Sequence, residues 1–241
     1  MVDAFDSSIL HFLNQFAQRS WVLDKTMVFV STDPFITGGV ATSFFWWAWF
    51  AESETKEAVR ETLISGLVSA FVALFFTRGL AAVLPFRARP YLNADVHFKP
   101  PHGTAEYYYD LIHWSSFPSD HAVLYFALAT TIFLVSWKVG LLAYCHALFV
   151  VCLPLVYLGE HFPTDVLAGA AIGIGFGVLS KVVKLRQSVS REPLRFLNYS
   201  TAGFYLCFYL CSFLFATNFD SVRKIAFYAL HELSGHGHGQ F

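Results

Sequence analysis

The sequence predicts an all-α membrane protein: a polytopic helical bundle of about six transmembrane helices, with an N-terminal amphipathic interfacial helix. Three observations predict it. The chain is 56% hydrophobic and only 14% charged, where a soluble domain carries roughly a quarter charged residues. Its apolar residues gather into about six windows close to the roughly 20 residues that a helix needs to cross a bilayer. No internal repeat, low-complexity linker or composition shift divides it, so residues 1–241 are expected to form a single membrane-embedded domain, with a motif core over about 78–185.

In chain order, Phe5, Ile9, Phe12, Leu13 and Phe16 recur at helical spacing opposite Asp6, His11 and Gln15. That pattern predicts a helix lying at the membrane surface, followed by a short apolar turn through Trp21 to Val30. The basic start, apolar core and small-residue cleavage site of a removable signal peptide are missing, so the N-terminus is read as mature protein. The predicted spans run approximately from Pro34 to Ala51, Glu61 to Leu84, His121 to Trp137, Val139 to Leu158, Val166 to Val183 and Ser200 to Phe215. The tryptophans Trp46, Trp47 and Trp49 are assigned to lipid-facing or interfacial packing. Cys145, Cys152, Cys207 and Cys211 all fall inside spans and are expected to behave as small hydrophobes, with neither a disulfide nor a zinc site.

The longest loop, Pro85 to Phe117, holds Arg87, Arg89, Lys99, His97, His102, His113 and the Tyr107-Tyr108-Tyr109 cluster. A long polar and aromatic loop in so lean a chain marks function. Two spans separate it from the short Gly159 to Thr164 loop, so both lie on one side of the membrane. The other side collects Lys56, Arg60, Lys138, Lys181, Lys184, Arg186, Arg191 and Arg195. Lys and Arg in short loops mark the cytoplasmic side. The expectation is an integral protein of a bacterial inner membrane whose functional loops face the periplasm or cell exterior. A net charge of −1 gives no argument for nucleic acid.

Two stretches carry chemistry. His161 and Asp165 are four apart, with Pro163 and Thr164 marking a helix start between them. A carboxylate one turn into that helix can accept a hydrogen bond from one ring nitrogen of His161 and leave the other as a lone-pair nucleophile. Pro118 suits a first helical turn, and Ser119, Asp120 and His121 follow it, where backbone N–H groups and the helix dipole favour an anionic phosphoryl group. His121 then serves as general acid to the leaving oxygen and as base to water. Arg89, with Arg87, neutralises the equatorial oxygens. His146 is assigned to core packing, His97, His102 and His113 to the surface, and His231, His236 and His238 to a solvated tail.

Pro118-Ser119-Asp120-His121 resembles the middle motif of the type 2 phosphatidic acid phosphatase superfamily, with the Asp variant of its bacterial members. His161-x3-Asp165 resembles its third motif, and Arg89-Pro90 the end of its first, over roughly residues 30 to 185. The resemblance implies a membrane lipid phosphatase that needs no metal or cofactor. His161 is then the phosphohistidine-forming nucleophile, Asp165 its partner, His121 the acid and base, and Arg89 a phosphate ligand. The implied substrates are a lipid phosphate monoester or diphosphate: an isoprenoid diphosphate such as undecaprenyl diphosphate, a phosphatidic acid or a phosphatidylglycerol phosphate. The Asp variant tilts the choice toward the isoprenoid diphosphate.

Two positions depart from the pattern. Ala82 stands where the first motif has a lysine, and Leu155 where the third has an arginine. Arg78 and Arg87 are the candidate replacements for the lysine; nothing nearby in sequence replaces the arginine. Two alternatives stay open on that ground: a weakened or inactive relative that binds lipid or a protein partner, and a lipid phosphotransferase using the same residues.

Overall fold

The computed structural model describes residues 3–104, 108, 112 and 114–217. Tyr107, Tyr109, His113, His231, His236 and His238 lie outside the described residues. Among those described there is no strand, and the chain is a bundle of α-helices: α1 Ala4–Asn14, α2 Trp21–Thr32, α3 Val40–Phe50, α4 Lys56–Val83, α5 Asp120–Val135, α6 Trp137–Cys145, α7 Leu153–Tyr157, α8 Pro163–Leu179, α9 Val183–Tyr199 and α10 Thr201–Ala216. Two π-helical segments interrupt the regular pitch, Phe35–Gly39 leading into α3 and His146–Cys152 joining α6 to α7.

Helices occupy all six predicted spans, but their lengths differ from the expectation. Only α4, of 28 residues, and the continuous Trp137–Tyr157 run, of 21, are long and apolar enough to cross a membrane among the described residues; α8 and α9, bent by 77°, make a third if taken as one broken span. Helix α5 has 16 residues, about 24 Å at 1.5 Å per residue, short of the roughly 30 Å hydrocarbon core. Counting apolar residues runs through the chain breaks at Ser136 and at Ser180 to Val182, which is why the windows looked longer. The basic segment after α8 is also more ordered than a loop, because it forms the amphipathic α9.

Helix α5 is the central element, with nearly every residue from Ala122 to Ile132 buried, and it packs on α4, α6 and α8. Its contact with α8 decides where the two histidine motifs meet. Gly169, Gly173 and Gly177 form one stripe on α8, and a Cβ at each would fall 2.5 Å from Ser119 O, 2.3 Å from Val123 O and 2.5 Å from Thr130 Cβ, respectively. Small residues at i, i+4 and i+8 thus let the two backbones approach closely. Gly173→Ala is expected to force them apart and cost about 1–3 kcal/mol, read as a lower melting temperature in detergent.

The sequence pattern put Phe5, Ile9, Phe12, Leu13 and Phe16 on the apolar face of a helix at the membrane surface and Asp6 on its opposite, polar face. In the fold Phe5, Phe12 and Phe16 are exposed, while Asp6 and Leu10 are fully buried. Ile9, Leu10 and Leu13 pack with Ala122, Cys152, Val156, Phe162 and Val166, so α1 is docked against the end of the bundle that carries the motifs. Trp21 to Val30, expected as a turn, belongs to α2, capped by Ser20 Oγ accepting from Leu23 N at 3.3 Å. Trp49, expected at lipid, is buried and stacks on Phe204.

Candidate active site

Helix α5 descends from Asp120, the chain turns at Ser136, and the α6 to α7 run returns to the starting end. The Gly159 to Phe162 loop therefore sits beside the N-terminus of α5, and α8 begins there. Ser119 N donates to Asp165 O at 3.2 Å, which ties the two motif segments together directly. The loop needs its glycine: Gly159 has φ +72° and a Cβ there would lie 2.6 Å from the Phe98 ring, a conformation and a space that only glycine accepts. Leu155 O then accepts from Glu160 N at 2.9 Å and from His161 N at 3.3 Å, setting the loop's shape.

His161 is 4% exposed, and its Nδ1 lies 2.8 Å from Ser116 O. A carbonyl can only accept, so Nδ1 carries the proton and Nε2 keeps its lone pair. The orienting partner expected from sequence was Asp165. Its Oδ2 is 3.7 Å from Nδ1, beyond hydrogen-bond distance, and instead accepts from Phe162 N at 2.8 Å. Asp165 stays beside the ring as a fully buried negative charge, while the hydrogen bond that fixes the tautomer comes from Ser116, a residue without any sequence signal.

Arg87, expected among the phosphate ligands, bonds protein groups: Nη1 donates to Thr164 Oγ1 at 2.9 Å and pairs with Asp165 Oδ1, and Nη2 donates to Asp6 Oδ2 at 2.7 Å. Its guanidinium also stacks on Phe162, 4.1 Å from the ring centroid. Arg89 is placed otherwise. It is 6% exposed, Nη1 donates to Glu160 O at 2.9 Å, and its buried Nε has no hydrogen-bond partner among the described residues. Ser116 Oγ is a second buried polar atom without such a partner. Arg89 is tied to the residue before His161 through Glu160 O, and Ser116 to the His161 ring through its carbonyl.

The α5 motif arrives as a capped helix start. Ser119 is the N-cap, its Oγ accepting from Ala122 N at 3.4 Å, so Pro118 precedes the cap instead of occupying the first turn. Asp120 forms an ion pair with Arg78, whose guanidinium stacks over Trp114 at 4.7 Å. Arg78 and Ala82 are four apart on α4, on one helix face. A longer cation one turn earlier thus stands behind the position of the missing lysine. His121 is half-buried, with Tyr125 stacked against its ring at 6.5 Å. Leu155 lies in the hydrophobic core with Leu124, Tyr125 and Val151. His146 packs as expected, Nε2 lying 2.9 Å from Ile36 O.

A second buried carboxylate supports the same loops from α2. Asp24 accepts from Gln18 N at 3.1 Å, His102 N at 2.9 Å, the His102 ring at 2.7 Å and the Tyr157 hydroxyl. His102, at the surface as expected, is thus also pinned. Burial pushes the Asp24 carboxyl up, but the hydrogen bonds from His102 N, Tyr157, the His102 ring and Gln18 N outweigh it and hold it below its ordinary 3.8. Its contribution to stability is therefore complete above about pH 4 and is lost as pH falls through the lower folded value. Asp24→Asn is expected to cost about 1–3 kcal/mol at neutral pH and to flatten the acid limb of melting temperature against pH.

The model of the PAP2 superfamily matches residues 62–188, just over half of the chain. The bacitracin transport permease protein BcrC of Bacillus licheniformis is 43% identical over 60 residues, 25% of this chain and 29% of that protein. The match thus covers less than a third of that relative. The undecaprenyl-diphosphatase BcrC of Bacillus subtilis (strain 168) is 24% identical over 158 residues, 66% of this chain and 73% of that protein. No solved structure matches.

Proposed function

The chain belongs to the PAP2 superfamily, and on that premise we propose that it is an integral membrane lipid phosphatase acting through a phosphohistidine. The observation that carries the reading is a buried His161 whose Nδ1 is held by Ser116 O, next to Glu160, whose carbonyl holds a buried Arg89 with an unpartnered Nε. Buried polar atoms without partners are rare, and an incoming phosphoryl oxygen would satisfy Arg89 Nε. His161 Nε2 attacks phosphorus, His121 gives a proton to the leaving oxygen, and His121 then takes one from the water that hydrolyses the phosphohistidine to inorganic phosphate. Arg89 and Arg78 neutralise the phosphoryl oxygens, the Ser119 and Asp120 segment closes the site at the α5 N-terminus, and Asp165 stabilises the His161 ring. No metal takes part in these steps.

The proposed substrate is an isoprenoid diphosphate such as undecaprenyl diphosphate. The name of the Bacillus subtilis relative and Asp120 in the middle motif support that choice. The whole chain acts as one domain across the membrane, with α1 at the outer interface. The motif end faces outward, because Lys181, Lys184, Arg186, Arg191 and Arg195 gather at the opposite end.

Phosphate release by the purified protein from undecaprenyl diphosphate, phosphatidic acid and phosphatidylglycerol phosphate tests this. Release is expected in chelator and fastest from the diphosphate. A folded protein that turns over none of them is the lipid- or partner-binding relative, and transfer to an acceptor lipid without phosphate release is a phosphotransferase.

A further inference from the structure

We infer that Asp6, on the N-terminal helix, is a positioning residue for His161, acting through Arg87 and Asp165. The inference rests on the phosphatase reading for its kinetic consequence, though not for its electrostatics. Asp6 lies outside the segment matched by the family model, 62–188, yet its carboxylate is fully buried at the start of α8. Oδ1 accepts from Thr164 N at 2.8 Å, and Oδ2 accepts from Thr164 Oγ1 at 2.6 Å and from Arg87 Nη2 at 2.7 Å. The two remaining N–H directions of this network run through Arg87 Nη1 to Thr164 and to Asp165 Oδ1. Asp6 and Asp165 therefore share one guanidinium.

That sharing has an electrostatic result. Two buried carboxylates and one arginine leave a net negative charge against His161, whereas Asp165 with Arg87 alone would be neutral. The other charged and titratable groups on the elements that meet at the motif loops are Glu160 on the His161 loop, Arg89 in the loop after α4, Arg78 on α4, and Asp120 and His121 at the head of α5. Arg78 and Asp120 already pair with each other. Asp6 thus sets the balance at the side of the ring where Asp165 sits. It favours the cationic ring that exists once His161 Nε2 bonds to phosphorus, and by capping Thr164 it holds the loop in register.

The test compares the full-length protein with Asp6→Asn, Arg87→Gln and the double variant. The Nδ1 and Nε2 shifts of labelled His161 are followed against pH by NMR, and kcat and KM are measured alongside. Asp6→Asn is expected to move the His161 ring-nitrogen transition to lower pH than in the wild type and to lower kcat by about 10–100-fold, with KM within about 2-fold because Arg89 and Arg78 are untouched. The acid limb of the rate profile moves to lower pH with it. Effects of Asp6→Asn and Arg87→Gln are expected not to multiply, since both act through one guanidinium.

A folded Asp6→Asn protein with unshifted His161 titration overturns the inference, as does a loss confined to KM or strict multiplication of the two effects. If Asp6→Asn does not fold, Arg87→Lys is the substitute. It keeps the charge but loses the fork, with an expected loss of about 10-fold; wild-type kcat and titration overturn the inference. An inactive wild type defeats the phosphatase reading alone, because the His161 titration is read without turnover.

Discussion

His161→Gln is expected to abolish phosphate release, by at least about 1,000-fold, while leaving the fold intact. The ring is buried, its Nδ1 is spent on the Ser116 carbonyl, and that bond leaves Nε2 as the single nucleophilic atom it can offer. Glutamine can reproduce a donated hydrogen bond to Ser116 but cannot form a phosphoramidate that water then cleaves. The decisive measurement is a pair: steady-state phosphate release, and capture of labelled phosphate on protein at short times after mixing with labelled lipid. The wild type should show an acid-labile, base-stable phosphoprotein, and His161→Gln neither signal. A glutamine variant that kept a tenth of the activity would mean that water attacks the lipid directly and that His161 only binds.

The segments that make up the candidate site were legible because their information is local. Four-residue spacing from His161 to Asp165, and a Pro-Ser-Asp-His run at the mouth of an apolar segment, are helix-start patterns whose physics acts within one turn. The pairing of α5 with α8 was readable only as topology; what brings the backbones close is the stripe Gly169, Gly173 and Gly177, which a hydropathy count passes over as neutral. Asp6 was misread for a related reason. Amphipathic logic sends a carboxylate to water, and its true partners stand 81 and 158 positions away. Ser116 contributes a backbone carbonyl, which no side-chain pattern can announce. Leu155 was visible as a departure, but that it sits in the apolar core depends on the π-helical segment just upstream, which changes the angular register of every residue after it.

The cations should divide unequally. Arg89→Ala is expected to lower kcat/KM by on the order of 1,000-fold, because Arg89 is buried, already held by Glu160 O, and keeps Nε without a partner. Arg89→Lys should recover little, since an ammonium cannot hold Glu160 O and present a second fixed donor at once. Arg78 is about one-third exposed and shares its charge with Asp120, so Arg78→Ala should cost closer to 10-fold to 100-fold. Ala82→Lys in that background tests whether Arg78 does the work of the missing lysine: a cation one turn along the same face should restore most of the loss. Measured kcat/KM for the four variants decides it. If Ala82→Lys leaves Arg78→Ala unrepaired, Arg78 serves to hold Asp120 and Trp114 at the head of α5, and Arg89 carries the phosphoryl charge with the backbone N–H groups there.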